Sequence, residues 1–508
     1  MKTLIVVMAV VLLVGSCSLD SGEDDQIQGG KVATPFIFPE GGRYNTSQSV
    51  SIACATEGAT IYYTTNGDTP TRASQKYANN LILVFSGTTI KAFAVKEGYE
   101  DSDIASESYI VTIGGDLSSY ANQPWTKFLG GTADDYINDI VIDSQGNIYV
   151  TGRTKNSLGG QSNAGKDDVF IAKYNNLGSL QWLKLKGGPK NESGNAIALD
   201  AEGNIYVTGY TESNFDDQTV TDKVALLLMK YKPNGEHQWT RFYNSDNILW
   251  ANDEIAEGNG IAIDSSNNIF VAGTATSDNG GIYSFLLLQY RSDGSLYGGN
   301  IEGKVGPQDK LYGVSVTTSY VYAVGNRGST LHVRQYNRSN PNDIKSATIN
   351  DCYASGIALD SSANVYIVGH TEKALDGQTI KGGKDILLIK YDSTLTNRMW
   401  TRLIGGSEDD YGKKVTVDTS GNIYVVGYTK SSFNGQSSNG EFDAVVMKYN
   451  SAGDHQWTKF IGGSANEDGC AVRLDNTGKI YVVGSTKSSF GGATNKGYYD
   501  GYLSKMIP

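Results

Sequence analysis

The chain has 508 residues and a formal charge of −12, with 61 Gly and 32 Tyr against 9 Pro and 4 Cys. Its length predicts two or more units, and its acidic balance excludes a nucleic-acid surface, because phosphate binding needs clustered Lys and Arg. Many glycines and tyrosines, with no long amphipathic pattern, predict an all-β chain of short strands and tight turns.

In chain order, Lys2 precedes an apolar run from Leu4 to Gly15, then Ser16 and Cys17. A charged start, a short apolar core and small residues predict a secretory signal over residues 1–16. About twelve apolar residues at ~1.5 Å each reach only ~18 Å, short of the ~30 Å hydrocarbon core of a bilayer. Val14-Gly15-Ser16-Cys17 resembles the bacterial lipobox. The resemblance implies that Cys17 is diacylated and becomes the mature N-terminus, giving a lipid anchor. With Ser18 rather than Asp after it, the same resemblance points to the outer membrane or cell surface of a diderm bacterium. The polar, acidic stretch 17–30 reads as a disordered tether.

Residues 31–115 alternate strand-like runs with turns: 50–55, 60–65, 81–85 and 89–95, with Asn66-Gly67 as a hairpin signal. Phe38-Pro39, Gly41-Gly42, Ile61 to Thr71 (IYYTTNGDTPT) and Thr89 to Ser102 (TIKAFAVKEGYEDS) resemble the small immunoglobulin-like β-sandwich at the C-terminus of chitobiases. The same module is found beside fucosidases of glycoside hydrolase family 29. That resemblance implies an accessory domain. Tyr62, Tyr63, Tyr77 and Tyr99 could stack on a sugar, or serve as ordinary strand residues, with Tyr62 and Tyr63 facing opposite sides.

From residue 116 onward one motif returns seven times. GNIYVTG, Gly146 to Gly152, has variants ending at Gly209, Gly273, Gly325, Gly369, Gly427 and Gly484. An Asp precedes the last glycine by nine residues in six copies: Asp143, Asp200, Asp264, Asp360, Asp418 and Asp475. Lys173-Tyr174 and its equivalents follow the motif, and Trp125, Trp182, Trp400 and Trp457 precede the Asp at a common spacing. Each period holds four strands, which predicts a seven-bladed propeller over 116–508. The motifs resemble the seven-bladed bacterial β-propeller (SBBP) repeat. The fourth unit departs from it, lacking the Asp and the Trp. The chain ends with no Trp strand, while Trp125 to Leu129 is a Trp strand with no blade before it. It is therefore expected to close blade seven, removing open edges.

In such a blade the first-to-second and third-to-fourth turns share one face and are short here. The second-to-third and blade-to-blade loops share the other face and carry the variation, as binding loops on a rigid scaffold do. Asp135, Glu192, Asp309, Asp410 and Glu467 recur near that face. They could line a polar rim for a sugar or a cation, since hard cations need several oxygens. Alternatively, each accepts N–H bonds within its own loop. Trp250, in an insertion outside the repeat register, is a candidate ligand contact. Neither a catalytic set nor a zinc or cofactor motif is found. The expectation is a non-catalytic envelope lipoprotein whose propeller presents a loop-rich face to a glycan or protein partner. A carbohydrate-active enzyme or its accessory subunit is the alternative, and an outer-membrane scaffold a further one.

Overall fold

The computed structural model describes residues 29–44, 46–78, 81–84, 87–111, 123–221, 223–244, 255–277, 282–302 and 309–507. Cys17, with the signal and most of the tether, and Trp250 lie outside the described residues. Among the described residues every regular element is a strand.

Residues 29–111 form the smaller unit. A five-stranded sheet runs in the order Gly42–Tyr44, Ala105–Val111, Thr88–Val95, Thr60–Thr64 and Gln75–Lys76, opposite a three-stranded sheet of Phe36–Phe38, Gln48–Ala53 and Ile82–Val84. Val50, Ile52, Ile61, Tyr63, Ile90, Ala92 and Tyr109 fill the space between. Tyr62 and Tyr63 are both buried; Tyr62 stacks on Phe93. Neither offers a face to a ligand. Asn66-Gly67 does not make a two-residue hairpin. Asn66 and Asp68 bond each other at their side chains, and Thr60–Thr64 pairs instead with Gln75–Lys76. The Asx turn local to Asn66 thus satisfies the backbone early in a longer loop.

Seven four-stranded sheets follow. The first blade is Asp135–Ile142, Ile148–Thr154, Asp168–Tyr174 and Leu180–Lys186, each strand antiparallel to the next. The first strand of every blade touches the first strands of both neighbours, and Ala471–Leu474 touches Asp135–Ile142, so the inner strands ring a central channel. Closure uses the propeller's two ends: Trp125–Leu129 pairs antiparallel with Asp500–Met506.

The motif's composition now has a cause. In the first blade Asp143 accepts the backbone N–H groups of Gln145 and Asn147, the Asn147 amide and the Tyr149 hydroxyl. The Asn and Tyr of GNIY therefore satisfy the turn Asp, and the alternating apolar residues fill the space between blades. The recurrent Trp lies over the turn glycine of the next blade, as Trp182 does on Gly235 and Trp400 on Gly453, and meets its own blade's motif Tyr edge-on or tilted at about 6 Å.

The sandwich rests on the propeller at the closure seam. Phe36 and Phe38 pack against the core that holds Leu158, Leu183 and Leu129, and Tyr44 shares a hydrogen bond with Ser179.

Candidate functional site

The last glycine of the motif positions the channel mouth. A Cβ on Gly152 would fall on the carbonyl of Tyr136, and the inner strand bulges beside it, between Ile137 and Asp139. A bulge inserts one residue and re-aims its neighbours. The inserted residue is Asn138, whose amide donates to the Gly194 carbonyl of the next blade at 2.9 Å. Asn195 reaches Gly258 and Asn259 reaches Leu311 in the same way. Blade four has Tyr312 in the bulge, and Asn326 makes the link to blade five, bonding both backbone groups of Ala354.

The residue two before the bulge in each of these blades then pairs, across the strands, with the residue after the motif glycine. These pairs ring the mouth on the long-loop face: Tyr136 with Arg153, Ser193 with Tyr210, Glu257 with Thr274, Lys310 with Asn326, Tyr353 with His370, and Tyr411 with Tyr428. Most are half-buried. Tyr353 and His370 lie parallel, centroids 4.7 Å apart at 9°. His370 meets Tyr411 edge-on at 5.0 Å, Tyr411 lies 4.9 Å from Tyr428, and Tyr428 meets Phe442. An aromatic belt thus spans blades five and six. Arg153 lies 4.5 Å over Tyr136 while bonded to Asp167 at 2.7 Å.

Burial, with Lys384 and Lys413 nearby, pushes the His370 imidazolium pKa down to about 4, so His370 is a neutral ring across the physiological range. Burial raises the Tyr136 and Tyr428 hydroxyls to about 12, which keeps both protonated and able to donate. The belt therefore presents flat neutral rings with polar tips.

Blade four opens the wall. Its second and third strands join through a tight hairpin at Arg327 to Thr330, where blades one, two, five, six and seven carry long loops. A cavity of about 360 Å³ lies there, lined by Tyr283, Lys310, Tyr312, Asn326, Gly328 and Tyr353. Tyr312 also lines a second cavity of about 350 Å³ in the channel below. In that throat Asp139 stands 3.4 Å from Lys414 and 3.9 Å from Arg473, joining blades one, six and seven.

The sequence-predicted carboxylates are placed differently. Asp135, Glu192, Asp309 and Asp410 are 0% exposed and Glu467 1%. Asp135, Glu192, Asp410 and Glu467 accept the N–H groups of Gly131, Gly188, Gly406 and Gly463. Thr211, Thr429 and Thr486 donate their hydroxyls to Glu192, Asp410 and Glu467. Asp309 is held by Arg327. They fasten loops and offer no open rim, because every turn at that end has N–H groups to satisfy. No group of three or more potential metal ligands occurs among the described residues. The mouth aromatics were missed, though they carry a signal. The residue after each motif glycine reads Arg153, Tyr210, Thr274, Asn326, His370, Tyr428 and Ser485. It changes in every blade except for one shared Tyr, amid near-identical neighbours.

The strand pairing and the ring of inner strands define an all-β propeller built from repeats, preceded by a small β-sandwich. Residues 125–159, 181–216, 251–281 and 400–434 match the SBBP β-propeller repeat, and 39–106 match the chitobiase/β-hexosaminidase C-terminal domain. Parts of the chain thus match the SBBP β-propeller repeat and a chitobiase-type domain. It is 30% identical over 174 residues to the regulatory protein FlaEY of Caulobacter vibrioides, covering 31% of this chain and 18% of that protein. It is 23% identical over 384 residues to an uncharacterized WD repeat-containing protein, L264, of Acanthamoeba polyphaga mimivirus, covering 63% and 26%. The chain thus spans about a quarter or less of these relatives. Among solved structures it is similar to a streptogramin B lyase (TM-score 0.46, 12% identity, 75% of this chain and 98% of that one). It is also similar to the WD40 propeller domain of Doa1 (TM-score 0.42, 10% identity, 75% and 96%).

Proposed function

We propose that the propeller is a non-catalytic glycan-binding unit whose ligand enters the channel mouth. The observation that carries this reading is the neutral aromatic belt of Tyr353, His370, Tyr411 and Tyr428 beside the blade-four cavity. A pyranose ring has an apolar C–H face and a belt of hydroxyls. Aromatic side chains with polar tips suit both halves, and a concave recess with a few placed polar groups suits a small ligand or a chain end better than a flat protein surface. Lys310, Asn326 and Tyr312 supply those polar groups. The sandwich, seated at the closure seam, acts as a spacer. The lipobox-like sequence ending at Cys17 supports display at the cell envelope through a lipid anchor.

A glycan array on the full chain tests the ligand class, followed by calorimetric titration of any oligosaccharide retained. Saturable binding that Tyr353→Ala abolishes, without release of products, is the expected result. Product release would support the enzyme reading, and absence of any binding would remove the glycan reading. Loss of membrane association in Cys17→Ala tests the anchor.

A further inference from the structure

Five blade junctions are alike, a sixth is filled in another way, and the contrast makes the remaining one informative. The third strand's Lys pairs across the sheet with the outer strand's Trp in five blades: Lys173 with Trp182, Lys230 with Trp239, Lys390 with Trp400, Lys448 with Trp457 and Lys505 with Trp125. Each indole meets the motif Tyr of its own blade at between 6.1 and 6.4 Å. In blade four the place belongs to Lys345, and Gln335 and the Tyr322 hydroxyl fill the junction by bonding the Ser393 carbonyl.

Blade three lacks all three members of the set. Gln289 stands for the Lys, Phe270 for the Tyr, and Gly298 for the Trp. A Cβ added at Gly298 would meet nothing within 4 Å. The space left is a cavity of about 510 Å³ between blades three and four, walled by Phe270, Leu287, Leu288, Val321, Tyr336 and Arg338. Arg338 is fixed there. It bonds Asp264 and the carbonyls of Thr317 and Thr318 at 3.0 Å, with its guanidinium 5.3 Å over the Phe270 ring. That guanidinium supplies the charge which Gln289 lacks, so the walls stand without the indole. Arg241 and Arg402 lie 5.3 and 5.2 Å over Trp239 and Trp400 in the filled junctions, so a cation beside the indole is part of the usual arrangement. At the rim, Tyr297 is 62% exposed and Leu296 47%, an apolar lip to an apolar slot.

We propose that this slot, on the propeller's flank and separate from the mouth, binds a tryptophan side chain presented by a partner polypeptide. The protein's own junctions specify the occupant. The same backbone frame, an aromatic ring at the same position beneath it and a cation beside it hold an indole elsewhere in the ring. Burial of a large aromatic between two apolar walls is the usual form of an anchor residue at an interface. The backbone on either side of an indole sets its approach, so a tryptophan on an extended strand running along Leu296–Glu302 would enter as the missing side chain does.

The test is ligand-observed saturation-transfer NMR on the full chain with N-acetyl-L-tryptophanamide. N-acetyl-L-leucinamide serves as control and free indole as a second probe. The expected result is a signal for the tryptophanamide that exceeds the leucinamide signal severalfold and is lost in Gly298→Trp. That variant is expected to melt several degrees higher than the parent, because the slot is then filled from within. Gly298→Phe repeats the test should the larger ring disturb folding, and Tyr297→Ala, on the rim, should reduce the signal without abolishing it. No preference for tryptophanamide over leucinamide would overturn the proposal, and so would a signal that survives a folded Gly298→Trp. Binding of free indole with exclusion of the tryptophanamide would overturn a side-chain occupant.

Discussion

Thr126 and Ser504 lie opposite each other in one sheet, their hydroxyls 2.9 Å apart, although 378 residues separate them in the chain. The propeller is therefore closed by its two ends, and every other blade depends on that seam to keep its neighbours in contact. Trp125 reaches over Gly178 of blade one and meets Tyr481 of blade seven. Trp125→Ala is expected to cost about 2–4 kcal/mol, toward the lower part of the range for a large aromatic because the side chain is only half-buried. Chemical denaturation measures this. Deletion of residues 121–131 should lower the melting temperature of the whole ring, and an unchanged melt would show that the seam is not needed.

Acid should first strengthen the ring. Burial pushes the carboxyls of Asp135 and Asp410 up to about 6 from an ordinary 3.8, with Asp500 and Asp385 adding repulsion. A carboxyl raised in the folded state penalises folding once it ionises. That penalty is absent below the unfolded value and complete above about 6. Asp264, Asp360 and Asp475 are lowered by their turn hydrogen bonds, against the opposing effect of burial, so their contribution is lost only as the pH falls below the usual carboxylate range. The melting temperature should fall as pH rises from about 4 to about 6, and Asp410→Asn should flatten that slope.

Ligand binding at the mouth should be almost independent of pH between about 5.5 and 8, because His370 is neutral throughout. Tyr353→Ala or Tyr411→Ala should weaken binding at least tenfold, ~1.4 kcal/mol, while changing the melt little, since both rings are half-exposed. A titration that inflects near pH 6.5 would contradict the placement of His370.

The sandwich should part from the propeller more easily in base. Glu107, its carboxyl raised to about 7 by burial and by Glu40, accepts the Gly41 N–H at 2.6 Å, close to Lys127 and Lys496 of the propeller. Ionisation above pH 7 adds a poorly solvated charge, so the contribution of this region is full below about 4.5 and declines through about 7. Phe36→Ser with Phe38→Ser should split calorimetric unfolding into two transitions. Glu107→Gln should remove most of the pH dependence of the wild-type docking.

Most of the fold can be read in the chain because its causes are local. The Asp143, Asn147 and Tyr149 set closes a turn within seven residues, the strand alternation sits beside it, and counting its copies counts the blades. The same local logic fails at Asn66-Gly67, where the strands on either side of the turn find other partners. It also could not tell whether Asp135 and Glu192 face a ligand or their own loops. Spacing locates a side chain along a strand, whereas burial depends on the blade packed against it.

The sequence by itself determined the number of blades, the strand ends, the closing strand at Trp125 and the weakness of the fourth unit, all products of short-range periodicity and turn chemistry. Only the tertiary structure decided what those blades present. The mouth gathers Tyr136, Tyr353, His370 and Tyr411 from three blades because a bulge in each inner strand turns them to one axis. The vacancy at Gly298 becomes visible only when cross-strand register puts that glycine in the place a tryptophan holds in five other blades. Contacts between residues far apart in the chain carry no periodic signature of their own, so the surfaces they build exist only after the ring has closed.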